Sequence, residues 1–587
     1  MKSKTFDYVI TIGGEAGQGM QTLGVLLAKV FLKLGYFMST LQSYQSRIRG
    51  GHNFFQLRIS SRPIHSLRRG TDLLVALDQN TIETHCRNLN RQSVAIFDLA
   101  RIKPKPGCGQ MLGLEIERIF PGAKENEIFA NIVYLGALMA LLGCPSDPVE
   151  KLLAATFGKK GEDVIVKNRA AFRAGLEYIL GQSAWKNRYQ APAPLNPQSS
   201  LLVHGNQAIA LGAAAAGCGF YSAYPMTPST SVFETMAGLA AKANIIVEQA
   251  EDEIAAMNMV LGASYAGTRA MTGTSGGGFA LMVEALSLAG MLECPAVIVN
   301  AQRPGPATGL PTRTEQADLG FVIHAGHGEF PRVVLAPGNQ EECFWLTVHA
   351  FNLADRYQIP VIILTDQYLA DLYGNVKPFQ TEKVKIERGL VVEAGESYVR
   401  YRLTPDGVSP RAFPGKGPGV VIADSDEHTE DGHLTEDLNV RIKMNAKRLA
   451  KLKSLQRELL RPTVQGIHKD NLVLCWGSSL GPCQDAVNQL ADEGSKVSLM
   501  HFSQLWPLEG SKLRSWLAPY RRLICVEGNA GGQFARILRA ETEITIHAKI
   551  LRTDGKPFLQ DELAAQIKKH LRPVASGRKK RMIRRKK

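Results

Sequence analysis

The run PAVIVN at residues 295–300, answered by IPVIILT at 359–365, decides the fold. Both are unbroken apolar stretches rich in β-branched residues. That is the pattern of strands covered on both faces in a parallel sheet. Working outward, such runs alternate with stretches of helical period from Leu201 to about Pro378. Upstream, DYVITIGGEAGQGMQTLGVLLAKVFLKLGY (7–36) reads strand, glycine-rich turn, amphipathic helix, and βα units continue to about Gly181. Downstream, a third βα block opens at DNLVLCWGSS (470–479) and runs to about Leu571. The expected class is α/β, multidomain, with three parallel or mixed sheet domains and helices on both faces.

Composition shifts mark the boundaries. The expected arrangement is an α/β domain at 1–183, then a Pro-, Gln-, Asn- and Ser-rich linker at 184–200. A middle domain follows at 201–380, then a more polar connecting segment at 381–465, a third domain at 466–575 and a basic tail at 576–587. The chain has 587 residues, 45% of them hydrophobic, enough for several cores. No apolar run reaches the ~18 residues of a membrane span. The first residues enter a strand pattern with no secretory core, so the expected location is cytoplasmic.

The net charge is +15, and eight basic residues lie between Arg578 and Lys587. A solvated tail accounts for them. The globular part has no basic stripe interleaved with aromatics, so a nucleic-acid partner is not expected. The nine cysteines form no CxxC pair, and in a reducing compartment no disulfide framework is expected. Buried small hydrophobes are the simplest reading of them. His428 and His433, among acids, read as a solvated loop, and no metal is assigned to this chain.

Several polar stretches carry candidate chemistry. In VEQAEDEIAAMNMVLGASYAG (247–267) a strand passes through three acids into an apolar helix. Glu251 and Asp252 suit a helix N-terminus. Glu253 shares a face with Met257, Val260 and Leu261, so its carboxyl is desolvated and its pKa raised. That is the condition for a general acid–base near neutral pH. SAYPMTPST (222–230) presents Thr227 on a loop stiffened by Pro225 and Pro228. RAMTGTSGGGFALM (269–282) reads as a strand ending in a Thr/Ser/Gly loop that admits a planar ligand. VNAQRPGPATGLPTRTEQADL (299–319) offers Arg303, Thr312 and Arg313 on a proline-stiffened loop, a candidate carboxylate clamp. Solvated arginines explain either guanidinium taken alone.

The first glycine loop, GGEAGQG (13–19), has its glycines as GGxxGxG and no acid about twenty residues on to hold a ribose. A nicotinamide cofactor is disfavoured. Anion binding by Gly14, Gly17 and Gly19 and simple tight packing both remain open. QSYQSRIRGGHN (42–53) adds Arg49 to a polar loop suited to a phosphate or to solvent.

The order of these motifs resembles the alpha chain of 2-oxoacid:ferredoxin oxidoreductases, of the 2-oxoglutarate type with a fused N-terminal gamma domain. GGEAGQG, the RGG at 49–51, YPMTPST, EQAEDEIAA, TSGGGFALM, QRPGPATGLPTRTEQADL, GHGEFPR, VIILTDQYLAD and DSDEHTEDGHLTED carry it, across all but the basic tail. Gly277 departs from the family, which more often has proline there.

The resemblance implies a thiamine diphosphate enzyme whose cofactor lies between two chains. It makes 201–380 the pyrimidine-binding domain and 466–575 a transketolase C-terminal-like domain. No GDG motif is present, so a beta subunit is expected to supply the diphosphate anchor, Mg²⁺ and a [4Fe–4S] cluster. By resemblance Glu253 is catalytic, hydrogen-bonding the pyrimidine ring. Thr227, Arg303, Thr312 and Arg313 meet the substrate, with Arg313 reaching a distal carboxylate. Gly14, Gly17, Gly19 and Arg49 help bind coenzyme A. Glu527, Asn529 and Gln533 in VEGNAGGQ make domain or subunit contacts. Ferredoxin takes the electrons, and the assembly is a heterodimer or a dimer of heterodimers. A broad-specificity enzyme acting on pyruvate and 2-oxobutyrate is the alternative.

Overall fold

The computed structural model describes residues 6–45, 51–123, 127–158, 161–189, 191 and 200–571. Arg49, most of the second half of the expected linker and the basic tail lie outside the described residues. Three sheets of eight, seven and five strands organise the rest, each with helices packed against it.

The middle sheet is built from the two runs that decide the class. Ala296–Gln302 and Pro360–Asp366 lie side by side, parallel and buried at every position. Pro360 opens its strand, where its missing N–H costs least. Outward on one side come Ala270–Thr274, Phe220–Ala223 and Ile246–Gln249. On the other come Val333–Leu335 and then Gln504–Trp506, a strand lent by the third block that pairs antiparallel. The third sheet runs Thr463–Gln465, Ser498–Phe502, Leu472–Trp476, Leu523–Glu527, Ala548–Leu551, parallel except at its first strand.

The N-terminal sheet departs from a run of simple βα units. Asp7–Gly14, Thr71–Ala76, Leu89–Asp98 and Gln110–Leu114 are parallel. Asn53–Ser60, however, runs antiparallel to both Asp7–Gly14 and Phe37–Ser43. Beyond Phe37–Ser43 the sheet is extended by Gly374–Val376 and Leu201–Val203 from the two ends of the middle block. The first two blocks are thus joined by a shared sheet. The middle and third blocks are joined by a shared core, in which Met257, Phe279 and Leu319 cluster with Trp476, Phe502 and Phe534.

The connecting segment is held by buried charge. Its helix Leu438–Arg457 sends Lys447 and Lys451 to Glu293, each at 2.5 Å. Asp355 receives Arg269 and Arg411, both at 2.8 Å, and Arg388 at 2.9 Å.

Three expectations need correction. Cys86 and Cys108 form a disulfide, with Cα atoms 4.7 Å apart. The turn after Gln79–His85 and the loop before Gln110–Leu114 meet there, a proximity that a 22-residue separation hides. The other seven cysteines are free and buried, as expected. His428 is fully buried against Tyr401, with ring centroids 3.9 Å apart, rather than solvated. His433 is exposed beside Asp431, and no cluster of three metal-type ligands occurs among the described residues. Lastly, the glycines after Thr274 begin a short helix, Gly276–Leu281, rather than a loop. No described helix is long and apolar enough to cross a membrane.

Candidate active site

The candidate residues gather at the C-terminal ends of the parallel strands of the middle sheet, where open α/β sheets place their ligands. Thr227 follows Phe220–Ala223, and Glu253 follows Ile246–Gln249. Ser275 follows Ala270–Thr274, and Arg303 follows Ala296–Gln302.

Glu253 is the first residue of the helix Glu253–Tyr265. Asp252 is its N-cap, accepting from the Ala255 N–H at 2.7 Å, which accounts for one of the three acids. Met257, Val260 and Leu261 are buried on the face that Glu253 begins. Glu253 is itself only 2% exposed, and its Oε1 has no hydrogen-bond partner among the described residues. Burial pushes its carboxyl above the ordinary carboxylate range. Its own backbone N–H, the Thr274 hydroxyl and Arg303 offset this only in part. Gly278 makes the approach possible: a Cβ there would stand 2.3 Å from Glu253 Oε1 and 2.1 Å from Thr274 Oγ1.

Arg303 and Thr227 are together. The guanidinium donates from Nη1 to the Thr227 carbonyl at 2.6 Å, so this contact is to the main chain of the proline-bracketed loop. Arg303 Nε is buried and has no hydrogen-bond partner among the described residues. Burial lowers the pKa of Arg303, and its nearest charges, Asp318 and Glu253, offset part of that.

Asp318 was not singled out from sequence. Its main-chain N–H donates to Gln302 Oε1 at 2.9 Å, closing the loop that Arg303 opens. Asn300 Nδ2 donates to its carboxyl at 3.3 Å, and burial pushes its pKa up to about 6. Asn300 Oδ1 and Ser275 Oγ are further buried atoms without hydrogen-bond partners among the described residues. A second acid so close to a candidate substrate arginine has no local signature, because fourteen intervening residues bring it back.

Arg313 lies at a different wall. It donates from Nη1 to Ser43 Oγ of the N-terminal block at 2.7 Å, beside Tyr44, whose hydroxyl donates to Asp371 at 3.0 Å. Among the described residues neither Arg303 nor Arg313 sits in an ion pair. Thr312 is buried between them in sequence. The clamp is therefore two half-buried cations, neither in an ion pair among the described residues, with Asp318 and Glu253 acting on Arg303 from beyond contact.

The glycine loop at 13–19 is far along the chain and mostly self-contained. Gln18 Oε1 accepts from the Glu15 N–H at 2.9 Å, and Asn131 Nδ2 donates to the Gln18 carbonyl at 2.9 Å. Gly14 is packed against Gln18 and Leu77, which a Cβ would meet at 2.5 and 3.0 Å. Gly17 and Gly19 have φ of 98° and 73°, conformations that favour glycine. Gly19 precedes the helix Met20–Lys33, whose N-terminus has no side-chain cap.

Comparison with known proteins places the chain in a family. Residues 211–447 match the family described as pyruvate flavodoxin/ferredoxin oxidoreductase, thiamine diphosphate-binding, and residues 9–178 match pyruvate ferredoxin/flavodoxin oxidoreductase. The alpha subunit of a 2-oxoacid:ferredoxin oxidoreductase from Sulfolobus sp is 34% identical, with 97% of each chain covered. The chain belongs to the 2-oxoacid:ferredoxin oxidoreductase alpha-subunit family. The 2-oxoglutarate oxidoreductase subunit KorA of Mycobacterium tuberculosis is 28% identical, over 95% of this chain and 91% of that one. Among solved structures, a 2-oxoglutarate:ferredoxin oxidoreductase from Magnetococcus marinus, determined with 2-oxoglutarate, coenzyme A and succinyl-CoA bound, is similar. It has a TM-score of 0.90 and 33% identity, covering 96% of this chain and 100% of that one.

The thiamine diphosphate-binding match spans Glu253, Ser275 and Arg303, and polar groups of these residues have the chemistry to hold a ring with hydrogen-bonding edges. A buried acceptor without a partner and an unpaired Ser275 hydroxyl await polar edges, and Gly278 keeps space beside the carboxyl.

Proposed function

We propose that this alpha subunit serves a 2-oxoglutarate:ferredoxin oxidoreductase. The reaction is oxidative decarboxylation of the 2-oxoacid to acyl-CoA and CO₂, with electrons passed to ferredoxin. The observation that carries the reading is the unpaired, buried Glu253 Oε1 on the same sheet edge as Arg303. When bound, thiamine diphosphate supplies the carbon nucleophile and electron sink of the reaction.

This chain's residues do the rest of its half. Glu253 shares a proton with a pyrimidine ring nitrogen, donating the hydrogen bond when protonated and accepting it when ionised, and its burial favours the protonated form. Arg303, positioned by the Thr227 carbonyl, receives the substrate's 1-carboxylate. Arg313, with Ser43 and Tyr44 beside it, receives the distal carboxylate, and Thr312 lies near the substrate's side chain. Two cations that form no ion pair among the described residues suit a dicarboxylate better than a monocarboxylate. The 2-oxoglutarate names of similar proteins support the same choice.

The site is half of an active site. The elements around it carry large apolar side chains that remain exposed, among them Ile246, Ile254, Met259, Leu281 and Phe321. A beta subunit seated there would bury them. It would bring the diphosphate anchor, Mg²⁺ and the [4Fe–4S] cluster, in a heterodimer or dimer of heterodimers. Coenzyme A binds with help from Gly14, Gly17, Gly19 and Arg49, the uncapped helix end at Gly19 favouring a phosphate.

A broader reading, with pyruvate and 2-oxobutyrate as substrates, is favoured by the generic 2-oxoacid naming of the Sulfolobus relative. One experiment separates the two. The chain is coexpressed with a beta chain carrying a GDG motif and four cysteines, and coenzyme A-dependent viologen reduction is measured across 2-oxoacids. The highest kcat/KM is expected for 2-oxoglutarate. A higher value for pyruvate supports the broader reading, and no turnover of any 2-oxoacid overturns both.

A further inference from the structure

The loop bearing both arginines is fastened chiefly to a different block of the chain. Gln316 is 2% exposed, and its polar groups turn to the C-terminal block. Its main-chain N–H donates to the Gly528 carbonyl at 2.7 Å, and its own carbonyl accepts from Asn529 Nδ2 at 3.0 Å. Its Oε1 accepts from Ser479 Oγ and from the Gly528 N–H, both at 2.9 Å, and its Nε2 donates to the Trp476 carbonyl at 3.1 Å. On either side, the Thr314 N–H donates to the Gly555 carbonyl at 3.2 Å and Gln533 Nε2 donates to the Ala317 carbonyl at 2.6 Å.

These partners share a location. Trp476 and Ser479, Gly528 and Asn529, and Gly555 follow the C-terminal ends of Leu472–Trp476, Leu523–Glu527 and Ala548–Leu551, three parallel strands of the third sheet. That edge is where an open α/β sheet ordinarily receives its ligand. Here Gln316 and its neighbours fill it. The receptor edge is tied together by the Glu527 carboxylate, which accepts from the N–H groups of Phe534 and Ala535, Trp476 Nε1 and Asn529 Nδ2.

We infer that the C-terminal block is the receptor for the substrate loop, and that Gln316 is a positioning residue for 2-oxoacid binding. The ligand crevice of the third sheet takes this internal segment, and so sets where Arg303 and Arg313 stand. The inference rests on the reading of those arginines as substrate-binding. Gln316 touches no reacting atom, so its loss should weaken binding more than turnover.

The test uses the enzyme purified as its complete complex. For Gln316→Ala, KM for 2-oxoglutarate is expected to rise roughly tenfold, equivalent to about 1.4 kcal/mol, with kcat changed less than about threefold. Ser479→Ala, which removes one donor to Gln316, is expected to raise KM about threefold, and serves if Gln316→Ala fails to fold. Amide exchange across 303–318 is expected to quicken roughly tenfold in the Gln316 variant, a readout independent of catalysis. Unchanged KM in folded variants, a fall in kcat at constant KM, or unchanged exchange overturns the inference. Arg313→Leu is run alongside. If it leaves the preference for 2-oxoglutarate over pyruvate intact, the distal-carboxylate reading fails. The Gln316 result is still judged on KM and on exchange.

Discussion

Glu253 and Glu527 are both buried carboxyls at the C-terminal ends of parallel strands, one in the middle block and one in the third. Their surroundings differ. Glu527 Oε2 accepts from Trp476 Nε1, Asn529 Nδ2 and the Phe534 N–H, while Oε1 accepts from the Ala535 N–H. The charge also faces the N-terminus of the helix Gln533–Thr542, which favours an anion. Glu253 Oε1 has no hydrogen-bond partner among the described residues. Burial alone therefore does not separate a structural acid from a chemical one. A filled hydrogen-bond shell marks the first, and an open acceptor marks the second, because leaving it open is unfavourable unless a ligand closes it.

The largest effect that sharpens this contrast is on turnover. Glu253→Ala is expected to reduce kcat of the assembled enzyme by roughly 10²–10⁴-fold. Its thermal midpoint should stay within a few degrees of the parent, read by scanning calorimetry. A variant that unfolds but retains turnover would erase the distinction. Glu527→Ala should do the reverse, losing about 3 kcal/mol of stability in urea titration because several buried donors are left unpaired. Turnover per folded complex should change far less.

A smaller effect is expected at Gly278, where an added Cβ meets Glu253 Oε1 at 2.3 Å. Gly278→Ala should lower kcat about tenfold, and steady-state kinetics at saturating cofactor measures it. The smallest is at Asp318, raised by burial to about 6. The folded chain holds a proton there that the unfolded chain releases near pH 4. Stability therefore falls as pH rises from about 4 to about 6. Asp318→Asn removes that slope, so it should match the parent near pH 4 and exceed it above pH 6 by on the order of 1 kcal/mol. Denaturant midpoints across pH 4–8 check the sign.

Some features of the site were legible because their signal is local. An acid opening a helix of apolar residues announces a desolvated carboxyl, and Glu253 is one. Prolines at 225 and 228 announce a stiff turn, and Thr227 sits on it. Gln316 was not legible, since a neutral amide in a polar loop resembles any solvated residue. Its side-chain partners lie 160 to 212 positions away. Lys447 and Lys451 belong to a strongly charged helix, yet both are buried on Glu293, 154 residues upstream in the case of Lys447. Arg313 was read as facing substrate. Its Ser43 contact comes from a block that sequence alone keeps separate.

By itself the sequence determined the class, the order of the blocks and the identity of the buried acid. Strand and helix periodicity and the desolvation of a carboxyl among apolar neighbours are properties of a few consecutive residues. Only the tertiary structure decided that the first two blocks share a sheet, that the last two share a core, and that the loop around Gln316 is seated at the third sheet. Those facts depend on pairing across long separations, where hydrogen-bond partners are chosen by the packed fold and leave no periodic trace in the chain.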